Sequence, residues 1–440
     1  MPNAENLHVA LDYLSTIIGS RLRLRFGQEE EVEIESPRFL SDESPFSHFI
    51  EQNQPNFDEY VVLLLGLTPN LSPGFFTQIL SNFIPNGGDF PNFGGVKGQN
   101  HRDILPTGET AQFILAGDDL EKRLEVQRLF STEHWFYKKN ILHLEEVPHG
   151  EPLMSGRIIL DPEVVELLTL GKVSKPRFST EFPAEYLTTD LEWEDLVLTP
   201  ATLRQIREIE SWVRHQQTFF ETWGMGRRVK PGYRVLFYGP PGTGKTLTAS
   251  LLGKYTGRDV FKIDLSMVVS KYIGETEKNL ARLFDKAQNK DWILFFDEAD
   301  SLFGKRTQVQ SAHDKYANQE VSFLLQRVEN YNGLVILASN FKSNIDEAFL
   351  RRFQAIISFP TPNAFERLLI WEKSIPGQLK ISENISLKFI AEKFELTGAE
   401  ISNIIQNMSI KAISNNEMDL SAETINECIK QELLKSNKVI

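Results

Sequence analysis

Eight residues, Gly239-Pro240-Pro241-Gly242-Thr243-Gly244-Lys245-Thr246, have the composition needed to wrap a phosphate chain. They follow the apolar run "RVLFY" and open the run "TLTASLLGK", so the loop stands between an expected strand and an expected helix. Glycines let backbone amides close on phosphate oxygens, and a helix N-terminus carries partial positive charge that favours anions. Lys245 adds a full charge for the outer phosphates, and the Thr246 hydroxyl is a ligand for Mg²⁺. Leu247, next in the same helical turn, belongs with this binding set. About 50 residues on, "ILFFDEAD" places Asp297 and Glu298 where a buried strand should end. One carboxylate there suits the metal's shell, and its neighbour suits polarisation of a water attacking the γ-phosphate. The run "LVILAS" ends at Asn340, whose amide could bond the γ-phosphate or that water. Arg351-Arg352-Phe353 then precedes the last apolar run. Such a pair is commonly solvated or tied to nearby carboxylates such as Asp346 and Glu347; its functional reading is an arginine finger. A finger that completes a neighbour's site requires an oligomer.

The elements that position these groups alternate. The runs "RVLFYG", "VFKIDL", "WILFFDEAD", "LVILAS" and "AIISF" are separated by helical segments, the pattern of a parallel α/β sheet. A helix is expected over Thr202–Phe220, and beyond Pro360 no strands are expected, only a small helical domain. Ser174 to Pro200 has three prolines and no sustained period, and reads as an interdomain linker. Ahead of it, helical spacing over Asn6–Gly19, Asp58–Phe83 (broken near Thr68–Asn70) and Glu109–Phe130 joins strand-like pieces at Ile141–Glu145 and Arg157–Leu160. The loop Ile84–Asn100 is rich in Gly, Asn and Pro. This front part is expected to be a compact α+β module of winged-helix-like type. The resulting division is 1–173 for a partner- or substrate-binding domain, 174–200 linker, 201–360 α/β core and 361–440 helical lid.

Composition bounds the setting. The 440 residues suffice for two or three domains with full cores. The longest apolar runs, such as "YVVLLLGL", are too short to span a bilayer, and the N-terminus has no secretory pattern. One cysteine, Cys428, fits a reducing cytoplasm. Residues 1–200 carry 32 acidic and 15 basic side chains (15 − 32 = −17), and residues 201–440 carry 28 acidic and 32 basic (32 − 28 = +4). An acidic front half disfavours a sequence-independent grip on nucleic acid.

"GPPGTGKT", "ILFFDEAD", "LASN" and "LRRF", in this order and spacing, resemble an AAA-type ATPase, with a core from about Leu198 to Ile357. "LTGAEISNIIQNM", Leu396 to Met408, resembles the lid-helix signature of that family. The resemblance implies ATP and Mg²⁺ as cofactors, Lys245 and Thr246 as Walker A residues, Asp297 and Glu298 as the Walker B pair, and Asn340 as sensor 1. It implies Arg352 as the finger. The role of the adjacent Arg351 is put in doubt, because many relatives separate two finger arginines by a short spacer. Gly398-Ala399-Glu400 has no sensor-2 arginine, as in the protein-remodelling members. Lys271-Tyr272-Ile273-Gly274 falls where the family carries its pore loop, whose aromatic–aliphatic–glycine step grips an extended polypeptide. The front half resembles the winged-helix-bearing bacterial AAA ATPases encoded beside contractile injection systems.

Together these imply an ATP hydrolase in a ring, expected as a hexamer, that remodels or threads a protein client. The alternative is a non-threading ATP switch or scaffold, and a nucleic-acid motor or loader ranks below both. A DEAD-box helicase reading of Asp297–Asp300 needs a second core sheet, which is absent from the pattern. A zinc protease reading needs an HExxH motif, which is also absent.

Overall fold

The computed structural model describes residues 2–29, 36–84, 90–179, 182–265, 275–288, 290–299, 312–340, 347–382, 385–416 and 419–435. The chain divides into two units, Met1–Lys175 and Pro176–Ile440.

Unit 1 is built on helices α1 (Pro2–Arg25), α2 (Pro45–Asn53), α3 (Phe57–Leu71), α4 (Phe75–Ser81), α5 (Gly108–Ala116), α6 (Leu120–Arg128), α7 (Trp135–Lys138) and α8 (Pro162–Leu170). Two antiparallel pairs accompany them: β1 (Val96–Lys97) with β2 (Ile104–Leu105), and β3 (Leu142–Leu144) with β4 (Ile158–Leu160). The run Tyr60–Thr68 of α3 is buried throughout, which makes it the central helix of this core. That burial explains why α3 is apolar all round. Among the described residues no single helix is long and apolar enough to cross a membrane. The expected break at Thr68–Asn70 falls later, at Ser72–Gly74, because Pro69 is accommodated inside α3. The Glu109–Phe130 segment is two helices, parted at Gly117 and restarted by Asp119, which caps the N–H groups of Glu121 and Lys122.

Unit 2 holds a six-stranded sheet in the order β10-β6-β9-β8-β7-β5. Its strands are β5 (Ala184–Leu187), β6 (Tyr233–Tyr238), β7 (Val260–Ile263), β8 (Ile293–Phe296), β9 (Leu334–Ser339) and β10 (Ala355–Ser358). All neighbours run parallel except β5, which is antiparallel to β7. The apolar runs are unbroken because both faces of the sheet are covered. Along β6, Val235 and Phe237 point to one layer with α9 (Pro200–Gln217) and α10 (Lys245–Thr256). Leu236 points to the other, with α11 (Glu275–Ala287) and α12 (Ala312–Asn330). The strand period of two thus supplies both cores of a three-layer sandwich. α13 (Glu347–Leu350) precedes β10.

A separate helical cluster follows: α14 (Ala364–Ser374), α15 (Leu387–Lys393), α16 (Gly398–Asn415) and α17 (Ala422–Lys435), with its own core around Trp371, Ile404 and Ile429. Two sequence readings need correction. The segment 174–200 is not simply a linker: it contributes strand β5, and Trp193 is buried in the sheet's core. Its register is set by a single antiparallel partner, which no internal periodicity announces. Strands also do not stop at Pro360, since β11 (Lys380–Ile381) pairs in parallel with β12 (Asp419–Leu420). Two-residue strands are too short to show a period.

Candidate nucleotide site

In a parallel sheet, ligand-binding groups gather at the carboxyl ends of the strands. The loop after β6 does so here, with Gly239 N–H donating to Ser339 O at 3.2 Å, which ties it to the end of β9. Gly242 and Gly244 both adopt left-handed backbone, at φ of 75° and 94°. At Gly242 there is no room for a side chain either, because a Cβ would lie 2.7 Å from the Cβ of Ala399. Gly244 caps α10 without any side-chain hydrogen bond. The first turn of that helix thus has no side-chain cap, and a helix N-terminus of this kind favours an anion.

Lys245 is the first residue of α10 and is only 8 % exposed. Its ammonium donates to Gly239 O at 2.6 Å and Pro240 O at 3.0 Å, and lies 3.5 Å from Asn340 Oδ1. The end of β8 delivers Asp297 and Glu298. Glu298 is exposed and holds a left-handed φ of 49°, unusual for a residue with a side chain. The turn is pinned on both sides: Ala299 N–H donates to Ala338 O at 2.8 Å, and Glu298 N–H donates to Asp297 Oδ1 at 3.0 Å. Strain held this way at a strand end is characteristic of functional positions.

These groups meet around one cavity of about 730 Å³. Pro241 through Leu247 line it, together with Asp297, Glu298 and Asn340. Gly239 and Pro240 stand behind the loop and serve it through their carbonyls. The donors suit a nucleoside triphosphate with a hard cation: an uncapped helix start, a buried lysine, one hydroxyl and a carboxylate. Among the described residues no group of three His, Cys, Asp or Glu side chains could hold a metal unaided. Residues 235–361 match the ATPase family associated with various cellular activities (AAA). The chain carries an AAA ATPase family domain.

The AAA domain has relatives. The chain is 32% identical over 257 residues to the A-like 1 form of the katanin p60 ATPase-containing subunit from Oryctolagus cuniculus, a match covering 55% of this chain and 51% of that protein. It is 31% identical over 258 residues to the Danio rerio counterpart, covering 56% and 51%. It is 30% identical over 216 residues to the 26S proteasome regulatory subunit 6B homolog of Dictyostelium discoideum, covering 47% and 53%. The chain thus spans about half the length of the curated relatives it matches.

Two walls of the cavity escaped the sequence reading. One is Leu196, Val197 and Leu198, from the segment expected to be linker. The alternating apolar positions of "LEWEDLVL" were the available signal, closed by Thr199, whose hydroxyl accepts from Thr202 N–H to cap α9. The other wall comes from the helical cluster. Ile370, Gly398 and Ala399 line the cavity, and Ala399 N–H donates to Gly242 O at 3.2 Å. The start of α16 is fixed by a capping box, with Thr397 N–H donating to Glu400 at 2.7 Å. Ala399 thus presents a small side chain against the phosphate loop.

Arg351 and Arg352 do not join this cavity. Both are exposed, and Arg352 pairs with Glu329 at 2.6 Å. Glu329 and Gln354 also contact Arg234, near the amino end of β6. Five strand residues, about 17 Å, separate that end from the phosphate loop. Lys271, Tyr272, Ile273 and Gly274 lie outside the described residues.

Proposed function

We propose that the chain is an ATP hydrolase that assembles into a ring, most simply a hexamer, and remodels or threads a protein client. The observation that carries the hydrolase is the convergence of Lys245, Thr246, Asp297, Glu298 and Asn340 at three strand ends around one cavity. Lys245 and the N-terminus of α10 bind the phosphates, and Leu196, Val197, Leu198 and Ile370 offer an apolar wall to the base. Thr246 and Asp297 would hold Mg²⁺, which would offset negative charge on the outer phosphates. Glu298 takes the proton of the attacking water, and Asn340 orients it.

Arg352 supports the ring. On the far end of the strands it cannot serve its own cavity, so a transition-state role requires the cavity of a second copy. The relatives are named as subunits, one of katanin and one of the 26S proteasome, which supports a chain that works within an assembly. Unit 1, read as winged-helix-like, would dock the client or platform. Service to a contractile injection system rests on its resemblance alone, and protein capture by Glu298→Gln would test it.

The deciding experiment is nucleotide binding and turnover by the purified chain. Glu298→Gln should bind ATP and lose nearly all turnover, and Lys245→Ala should lose binding. Near-native turnover in Glu298→Gln would remove the mechanism.

A further inference from the structure

The nucleotide cavity accounts for one side of Asp297, and an unassigned lysine occupies another. Lys262 is the third residue of β7 and pairs in register with Phe295 of β8, two positions before Asp297. Its ammonium lies 2.9 Å from Asp297 Oδ2. The other carboxylate oxygen, Oδ1, accepts the N–H of Glu298 at 3.0 Å. Both oxygens of the expected metal ligand are therefore held by donors of the chain itself. Lys262 does not line the nucleotide cavity, so it reaches the carboxylate from outside it.

We infer that Lys262 is a positioning residue that competes with the divalent cation for Asp297 and so sets the metal concentration the site requires. A cation approaching Asp297 either displaces the ammonium from Oδ2 or shares the carboxylate with a like charge a few ångströms away. In both cases the attraction between Lys262 and Asp297 is subtracted from metal affinity. Both side chains are part-exposed, at 34% and 29%, so solvent screens the pair and the effect is moderate. In return, the pair fixes the carboxylate before metal arrives. The inference rests on the ATPase reading of the site.

The test uses the full chain with a non-hydrolysable ATP analogue. Mn²⁺ binding is followed by electron paramagnetic resonance, and analogue binding is followed separately in EDTA. Lys262→Met should tighten Mn²⁺ binding roughly 2- to 5-fold, the range of a part-exposed ion pair, while affinity in EDTA stays at the wild-type value. Lys262→Arg keeps the cation and should match wild type. Unchanged or weaker Mn²⁺ binding by a folded Lys262→Met overturns the competition. If that variant fails to fold, Lys262→Gln, neutral but polar, decides the same question in the same way. A wild-type chain that binds no analogue, with or without metal, removes the ATPase reading and this inference with it. A chain that binds analogue but shows no Lys262 effect removes only the inference.

Discussion

Gly242→Ala measures how closely the phosphate loop and the helical cluster are packed. Two effects add. The backbone at φ 75° is left-handed, which costs a residue with a side chain ~1–2 kcal/mol. The new Cβ would also stand 2.7 Å from Ala399 Cβ and 2.9 Å from Thr397 Oγ1. Non-bonded carbons settle about 3.5–4.0 Å apart, so loop or helix must withdraw by about an ångström. Overpacking of that kind costs roughly 1–3 kcal/mol. The sum is ~2–5 kcal/mol, divided between nucleotide affinity and the stability of unit 2. If only the lower figure falls on binding, ATP affinity drops about 30-fold. Equilibrium binding of a fluorescent ATP analogue, with thermal melting alongside, reads both shares. Adding Ala399→Gly removes one of the two contacts and leaves the backbone effect. The double variant should therefore recover about 1 kcal/mol, near fivefold in affinity, beyond the sum of the single changes. Wild-type affinity and melting in Gly242→Ala would refute the packing argument, and so would strict additivity.

Arg352→Ala should lower turnover by roughly 10³–10⁵, the range of known fingers, while ATP binding persists. Mixed with Glu298→Gln, it should regain about a quarter of wild-type turnover, because random rings pair an intact Glu298 with a neighbour's intact Arg352 in that share of sites. Absence of rescue excludes action between neighbouring copies. Tyr272→Ala should reduce client remodelling far more than ATP turnover, and equal losses in both assays would favour the switch reading over threading. In unit 1, hydrogen bonding from Arg157, at 2.5 Å to each oxygen, holds the Glu145 carboxyl below its usual range. A depressed carboxylate stabilises the fold above its unfolded pKa and loses that contribution as pH falls through the folded value. Arg157→Met should therefore melt below wild type at neutral pH, with the gap closing under acid conditions. A gap that persists at low pH would contradict the ion-pair origin.

The residues that line the cavity are legible because glycines, lysine, carboxylates and amide each stand at the boundary of a strongly apolar run. Such runs as Val235–Phe237 and Ile293–Phe296 are buried on both faces, and their residue types announce it. β5 was not legible, since its four residues depend on one long-range partner and sit among prolines. The apolar wall at Leu196–Leu198 was overlooked for the same reason: each position looks like loop until α9 and the phosphate loop close around it. The Lys262–Asp297 pair is likewise invisible in one dimension, because only the β7–β8 register brings the two together. Asn340 and Arg352 stand out as residue types at strand boundaries, but which end of the sheet each occupies comes from topology.

The chain's entry into the sheet of unit 2 also has a mechanical side. The chain leaves unit 1 at Lys175 and by Ala184 is already paired in the sheet of unit 2. β5 is the first strand of that sheet the chain reaches, and its hydrogen bonds go to β7. β7 carries Lys262, and the chain beyond it leads to Tyr272. A load carried along the chain into unit 2 thus meets the sheet at β5, beside the strand whose Lys262 pairs with Asp297.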